Sequence, residues 1–445
     1  MPVATEPLRI DSLQQARTLL AGLFGQALDA VRGDHLVERL GSPGRTGWSI
    51  ATNGQVIDWP IDPAGRLLVI GAGKAAAAMA QGVETLFGDR IDDGCIIVKR
   101  DHRAPLRRIR QLEAGHPLPD QAGVAATAEL LKSVSGLTAR DSVIVLLTGG
   151  ASALLVAPAP GITLADKALT TDLLLRSGAS IEEINGVRKR LSRVKGGQLR
   201  DHIGPAACLT LLLSDVPSGD HGAIGSGPTV RPSLDDEEPL AIMARHGLVD
   251  RLSPAVRTLL ATPPVPSRSL GLGRSDVVLV GDSGSAVAAV RDAAWRAGIG
   301  FHVVNANMTG HTHEHARAMA AALRNCPVAK RPALFLSAGE TTLHVQGDGK
   351  GGRNQEFALV AALELEGTER VALLSAGTDG TDGPTDAAGA FADGSLMARA
   401  QALGLNPPDM LARNDSHSLF KATGDLLRTG STGTNVMDLV LGMAF

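Results

Sequence analysis

The sequence predicts an α/β protein of two unlike domains built on mainly parallel sheets. Two patterns carry that reading. Short β-branched and leucine-rich runs alternate almost throughout with longer Ala/Leu-rich amphipathic segments, the arrangement that βαβ units produce. The 52 glycines and 24 prolines fall mainly between those runs as turn punctuation. At 445 residues the chain can form roughly two to four domains, each with its own core.

In chain order, the Ala/Leu-rich stretch Ser12–Arg32 is expected to open the fold as a helix. The apolar run Leu67–Ile70 follows as a strand and turns through two glycines into a helix at Ala75–Leu86. Strands at Cys95–Lys99 and Ser142–Leu147 then flank a helix at Gln121–Ser133. Helices at Leu164–Ser177 and Ile181–Val194 precede a strand at Cys208–Leu213. The proline- and acid-rich stretch Pro228–Pro266, with one short helix near Leu240–His246, reads as a connection between lobes. Beyond it come strands at Val277–Val280, Gly300–Val304, Ala333–Leu336 and Arg370–Leu374, with helices at Ser285–Ala297, Thr312–Leu323 and Gln355–Leu365. The domain expectation is therefore 1–235, a connection at 236–270, and 271–445.

Composition removes several function classes. With 43 basic and 46 acidic residues the net charge is −3, so no global field favours nucleic acid or a membrane surface. Aromatics make up 2% with no tyrosine, leaving few platforms for stacking single strands. Cys95, Cys208 and Cys326 are far apart and suggest neither a disulfide framework nor a zinc site, which points to a reducing compartment. Glu6, Arg9 and Asp11 fall too early for a signal peptide. The longest apolar stretch, near Val143–Pro160, is broken by Gly149, Gly150 and two prolines and is too interrupted to span a bilayer. A cytoplasmic protein is expected.

The chemistry concentrates in loops that follow strands. Gly71-Ala-Gly73-Lys74 sits between an apolar strand and an alanine-rich helix, where unpaired N–H groups and the helix dipole favour an anion. Gly71-x-Gly73-x-x-Ala76 also fits the dinucleotide fingerprint, with Asp101 leaving NAD open and Arg100 suiting NADP. Thr148-Gly149-Gly150-Ala-Ser152 forms a second candidate oxyanion or phosphate cradle. Asn185, Arg188, Ser192 and Lys195 share helical spacing beside the apolar stripe of Ile184, Val187, Leu191 and Val194, suited to an anionic ligand. Asp215 follows another strand, and could take a hydroxyl proton or hold Mg²⁺. Later, Gly339-Glu340 ends a strand, and Gly351-Gly-Arg353-Asn354-Gln355 opens a helix with a dense donor cluster. Asp379, Asp382 and Asp386 occupy one glycine-rich loop, where magnesium binding competes with backbone capping. His311, His313 and His315 form a metal candidate with no partner at a known spacing.

These segments, with Gly115-His116-Pro117-Leu-Pro-Asp120, Ser214-Asp215-Val-Pro217 and Thr432-Gly-Thr-Asn435-Val-Met-Asp438, together resemble the glycerate 2-kinase family, whose C-terminal half is the MOFRL domain. The resemblance spans nearly the whole chain. It implies two three-layer α/β/α domains, the first Rossmann-like, with the active site in an interdomain cleft. It also implies transfer of the ATP γ-phosphoryl group to the 2-hydroxyl of D-glycerate with Mg²⁺, and a homodimer stays open. Lys74, Asp215 and Arg353 match positions of essential polar groups. Gly71, Gly73, His116, Gly149, Gly150, Ser152, Arg188, Lys195, Glu340 and Asn354 are the candidate substrate or phosphate contacts, with Asp379 and Asp382 nearest the metal. The sequence departs from the family pattern at His311–His315 and at Met437. Some family members are labelled hydroxypyruvate reductases, so an NAD(P)H-dependent reductase is the alternative, and a non-catalytic sugar-acid binder is a third reading.

Overall fold

The computed structural model describes residues 9–52, 55–216, 222, 224–231, 238–263 and 272–445, and in them the alternating pattern resolves into two separate six-stranded sheets. Internal contacts group Gly33–Val280 as one unit, and residues up to Arg32 with Gly281–Phe445 as the other.

In the first unit an antiparallel ribbon, β1 (Gly47–Thr52) and β2 (Gln55–Pro60), precedes the sheet. The sheet comprises β3 (Leu67–Ala72), β4 (Asp93–Lys99), β5 (Arg110–Ala114), β6 (Ser142–Thr148), β7 (Ala207–Leu213) and β8 (Ser275–Gly281), in the order β5-β4-β3-β6-β7-β8. Neighbours from β5 through β7 pair in parallel. β3 and β6 are buried along their whole length, which is why both read as unbroken apolar runs. The chain proceeds from β3 outward to β5, then returns to place β6 on the other side of β3. Strand order reverses between β3 and β6, and at such a switch point the carboxyl ends of the strands open a crevice suited to ligands. Helix Ala76–Phe87 follows β3. Gly82 lets it approach helix Gly33–Glu38, since a Cβ there would lie 2.6 Å from the Asp34 carbonyl oxygen.

Two expectations change in this unit. The anticipated connection at 236–270 contains helices Pro239–Arg245 and Pro254–Ala261, which share a core of Leu173, Leu174, Ile184, Val187, Ile242, Met243 and Val256 with helices Leu164–Arg176 and Ile181–Arg190. Residues 232–237 and 264–271 lie outside the described residues. The helix expected to reach Val194 stops at Arg190. Beyond it, Arg193 N–H donates to the Ala157 carbonyl (2.9 Å) and Gly196 and Gly197 take φ of 60° and 81°, so the chain leaves helical geometry.

The second sheet contains β9 (Gly300–Met308), β10 (Ala333–Gly339), β11 (Val371–Gly377), β12 (Gly389–Asp393), β13 (Leu426–Leu427) and β14 (Asp438–Ala444), in the order β13-β12-β11-β14-β10-β9. Only β9 and β10 pair in parallel; the other pairings are antiparallel, so mainly parallel geometry holds for the first sheet alone. β14, absent from the expected strands, enters between β10 and β11 as an antiparallel partner to both. The N-terminal helix Leu13–Ala30 belongs here, not with the expected domain 1–235. Its Arg17 pairs with Asp393 and Asp425, and Thr434 Oγ1 donates to the Val31 carbonyl (2.5 Å). Among the described residues no helix is long and apolar enough to cross a membrane.

Candidate active site

Register places the chemistry of the first unit along one sheet edge. Ala72 pairs with Leu147, and Thr148 with Leu213, so the loops starting at Gly73, Gly149 and Ser214 leave the sheet side by side. The loops interlock: Lys74 N–H donates to the Gly149 carbonyl (2.9 Å) and Ala75 N–H to Thr148 Oγ1 (3.1 Å). Gly73 has φ +138°, and a Cβ on it would meet Thr148 Oγ1 at 2.1 Å, so glycine is required twice over. Gly150 has φ +85°, and its Cβ position lies 3.2 Å from Lys74 Cγ and 3.1 Å from His116 Cδ2. Lys74 and His116 therefore flank the same glycine. Gly71 serves strand packing instead, because a Cβ there would come within 2.4 Å of the Leu146 carbonyl oxygen. Asp215 follows β7 at this edge, while residues 217–221 of its motif lie outside the described residues.

Behind the Gly149–Ser152 turn lies a cationic cluster. Lys195 is 2% exposed, and its Nζ donates to Ser152 Oγ (3.1 Å) and to the Gly225 carbonyl (2.9 Å). Ser152 Oγ contacts Ser226 Oγ (3.0 Å), which donates to Asn185 Oδ1 (2.9 Å). Burial, reinforced by the charges of Arg188 and Lys167, holds the Lys195 ammonium well below the usual lysine range. Burial and then Arg188 pull Lys167 down to about 8, and burial lowers Arg188. Lys167 Nζ donates to the Leu191 carbonyl (2.9 Å) at the end of helix Ile181–Arg190. Arg188 makes no hydrogen bond or ion pair among the described residues, and no carboxylate among them pairs with Lys195. Basic groups gathered with no counter-charge among the described residues suit an anionic ligand. The expected stripe of Asn185, Arg188, Ser192 and Lys195 thus splits. Ser192 bridges to Pro158, while Asn185 and Lys195 meet through Ser152 and Ser226 and not along one helix face.

In the other unit the charges are mostly paired. Arg353 Nε and Nη2 donate to Asp438 (2.5 and 3.0 Å), and Nη1 lies 2.8 Å from Glu340. Burial works against the guanidinium charge, but Asp438, Glu340 and Asp382 more than offset it and raise its pKa. Asp382 is buried, and its oxygens accept the N–H groups of Asn354 (3.0 Å) and Gln355 (2.8 Å), capping helix Arg353–Glu364 from a distant loop. That geometry gives Asp382, expected near a metal, a helix-capping role. Burial raises the Asp382 carboxyl to about 6, with Asp438 adding to the rise and the two N–H groups opposing it. Asn354 is also turned inward: Nδ2 donates to Asp438 (2.9 Å) and Oδ1 accepts from Ser375 (2.8 Å). Both ends of this side chain, expected at a ligand, thus bond within the scaffold. Asp379 Oδ1 accepts from the Thr381 N–H (2.9 Å) and hydroxyl (3.0 Å).

The histidine cluster is accounted for by packing. His313 Nε2 lies 2.7 Å from Glu356 Oε1, His311 stacks on His344, and His315 contacts the Thr309 carbonyl (2.7 Å). Among the described residues no group of three or more His, Cys, Asp or Glu is placed to hold a metal ion. The sequence marks the Ile224–Pro228 loop only as pocket-shaping and Asp438 only as part of the family pattern, and it gives Lys167 no role. The left-handed φ of Ser226 (63°) has no sequence signature, and Asp438 meets Arg353 across 85 positions.

Known proteins share this architecture. The domain of unknown function DUF4147 matches residues 19–261, and the MOFRL family matches 333–438. The chain is 39% identical over 383 residues to a D-glycerate 2-kinase of Thermotoga maritima, covering 85% of this chain and 90% of that one. It is 41% identical over 382 residues to a putative hydroxypyruvate reductase of Agrobacterium vitis, covering 84% and 98%. The crystal structure of a Thermotoga maritima glycerate kinase superposes with a TM-score of 0.82 at 35% identity, covering 97% of this chain and all of that one.

Proposed function

Because the chain belongs to the glycerate kinase family that joins DUF4147 to MOFRL, we propose that it transfers the ATP γ-phosphoryl group to the 2-hydroxyl of D-glycerate, giving 2-phosphoglycerate. The observation that carries this reading is the run of anion-binding groups at one sheet edge. Lys74 and His116 flank Gly150, and the basic side chains Arg188, Lys167 and Lys195, which pair with no carboxylate among the described residues, lie just behind Ser152. Phosphoryl transfer asks the protein mainly for positioning and for positive charge where the transferred oxygens gather negative charge. Lys74 and the Gly149–Ser152 turn supply that charge, Arg188 holds the glycerate carboxylate, and Asp215 orients the hydroxyl. Arg353, fixed by Asp438 and Glu340, is assigned to the nucleotide phosphates.

Mg²⁺ commonly takes one or two carboxylates and otherwise phosphate and water oxygens. Asp379 fits that donor chemistry, whereas both Asp382 oxygens are committed to helix capping. When bound with the nucleotide, the ion offsets phosphate charge. The chain's own part is to keep Asp379 at the end of β11, where Thr381 fixes one carboxylate oxygen.

The test is purified protein with ATP, Mg²⁺ and D-glycerate, with the phosphorylated carbon read by NMR. Phosphate on carbon 2 is expected; phosphate on carbon 3 overturns the assignment. One observation favours a second reading, reduction of hydroxypyruvate: the Gly71-x-Gly73 turn sits at the strand-order reversal where dinucleotides bind. Against it, the next strand ends at Lys99 and is followed by Arg100, which pairs with Asp120. Oxidation of NADH or NADPH by hydroxypyruvate, without ATP, would favour the reductase.

A further inference from the structure

We propose that Ser152 and Lys195 form the proton-accepting pair for the attacking hydroxyl, with Ser152 touching the substrate and Lys195 acting through it. The inference rests on the kinase reading. Its basis is an arrangement unusual for a lysine: Nζ is enclosed, 3.1 Å from a serine hydroxyl and 2.9 Å from a carbonyl. The charged groups facing it from the surrounding elements are Lys167, on helix Leu164–Arg176, and Arg188, on helix Ile181–Arg190. Both are positive. Loop residues Gly225 and Ser226 add only a carbonyl and a hydroxyl. Such surroundings favour the neutral amine over the ammonium; in that form Nζ still donates to the Gly225 carbonyl, and its lone pair can accept the Ser152 hydroxyl hydrogen in place of the bond it donates as an ammonium. Ser152 is only half-buried and ends the turn whose Gly150 is flanked by Lys74 and His116, so it links the enclosed amine to the ligand side.

The step balances as follows. The 2-hydroxyl oxygen bonds to the γ-phosphorus while the bond from that phosphorus to the β,γ-bridging oxygen breaks, its electron pair leaving with ADP. The hydroxyl proton passes to Ser152 Oγ as the serine proton passes to the Lys195 amine. The resulting ammonium keeps its hydrogen bond to Gly225 and returns the proton through Ser152 after product leaves. Asp215 then orients the hydroxyl without having to accept its proton.

Lys195→Met and Ser152→Ala are each expected to lower kcat by about 10²–10³, with KM for glycerate changed by less than about threefold. Lys195→Arg is permanently positive and has no neutral form at working pH, so it should be as slow as Lys195→Met. Primary amines in solution should rescue Lys195→Ala at rates that follow amine basicity. Near-normal turnover of Lys195→Arg, or a loss confined to KM, makes Lys195 an electrostatic anchor and overturns the proposal. So does an acid limb in the kcat–pH profile that vanishes in Asp215→Asn yet persists in Lys195→Met. If the Lys195 variants do not fold by circular dichroism, wild-type kcat in Ser152→Ala overturns it alone. Absence of 2-phosphoglycerate from the unaltered chain overturns the kinase reading as well, and so separates the two failures.

Discussion

Lys74 and Arg353 carry the same formal charge in different settings, and their removal should read differently. Lys74→Met is expected to lower kcat by on the order of 10²–10⁴ while leaving thermal melting nearly unchanged. Arg353→Ala strands the buried Asp438 carboxylate, so a comparable loss of activity should come with about 3 kcal/mol of destabilisation in urea melts. Equal stability of the two variants would refute the distinction. The sequence made Lys74, Gly73 and Gly150 legible because a strand-to-helix turn is a local pattern, written within a few residues. It assigned Asn354 and Asp382 to ligands because donor-rich and acid-rich loops look alike whether they face a ligand or each other. The partners that Asp382 caps, 27 and 28 positions away, become visible only in three dimensions.

Helix Arg353–Glu364 shows how one carboxylate can govern an element. Gly352 has no side chain to cap it, and Asp382 supplies the cap from the loop after β11. Its folded-state pKa is raised to about 6, above the roughly 3.9 of an unfolded aspartate. The folded protein therefore binds this proton more tightly. The stabilising contribution is fully present below about pH 4 and is lost as pH rises through about 6. Asp382→Asn mimics the protonated form, so its stability relative to wild type should improve by about 2 kcal/mol between pH 4.5 and 7.5. A pH-independent difference would contradict that origin. Among elements, the eight expected strands all fall on observed strands; β3, β4, β6 and β7 do so because buried parallel strands are continuous apolar runs, whereas β8 and β9 are partly exposed and β11 pairs antiparallel on both sides. β1, β2, β5, β12 and β13 escaped notice because they are short or partly exposed. Helix Ile181–Arg190 was extended too far because its apolar spacing continues past the point where the backbone turns to meet residues 157–159.

The expected boundaries at 235 and 271 treat the chain as two consecutive pieces, whereas its contacts divide it discontinuously. Long-range pairing of the first 32 residues with the last third leaves no local trace, which is why periodicity alone missed it. A fragment of residues 33–280 should fold by itself, giving a cooperative melt. A fragment of residues 281–445 should melt poorly, because Asp393 and Asp425 lose Arg17 and the Thr434 hydroxyl loses the Val31 carbonyl. Adding a peptide of residues 9–32 should restore a cooperative transition, and a fully cooperative melt without it would refute the dependence. The same interleaving has a consequence for synthesis. Leu20, Leu23, Phe24 and Ala27, all buried in the finished protein, leave the ribosome about 250 residues before the rest of their unit. At about 5–20 residues per second that is an exposure of roughly 12–50 s. During that interval the nascent helix is a target for chaperones, and stalled translation would leave its greasy face as a seed for aggregation.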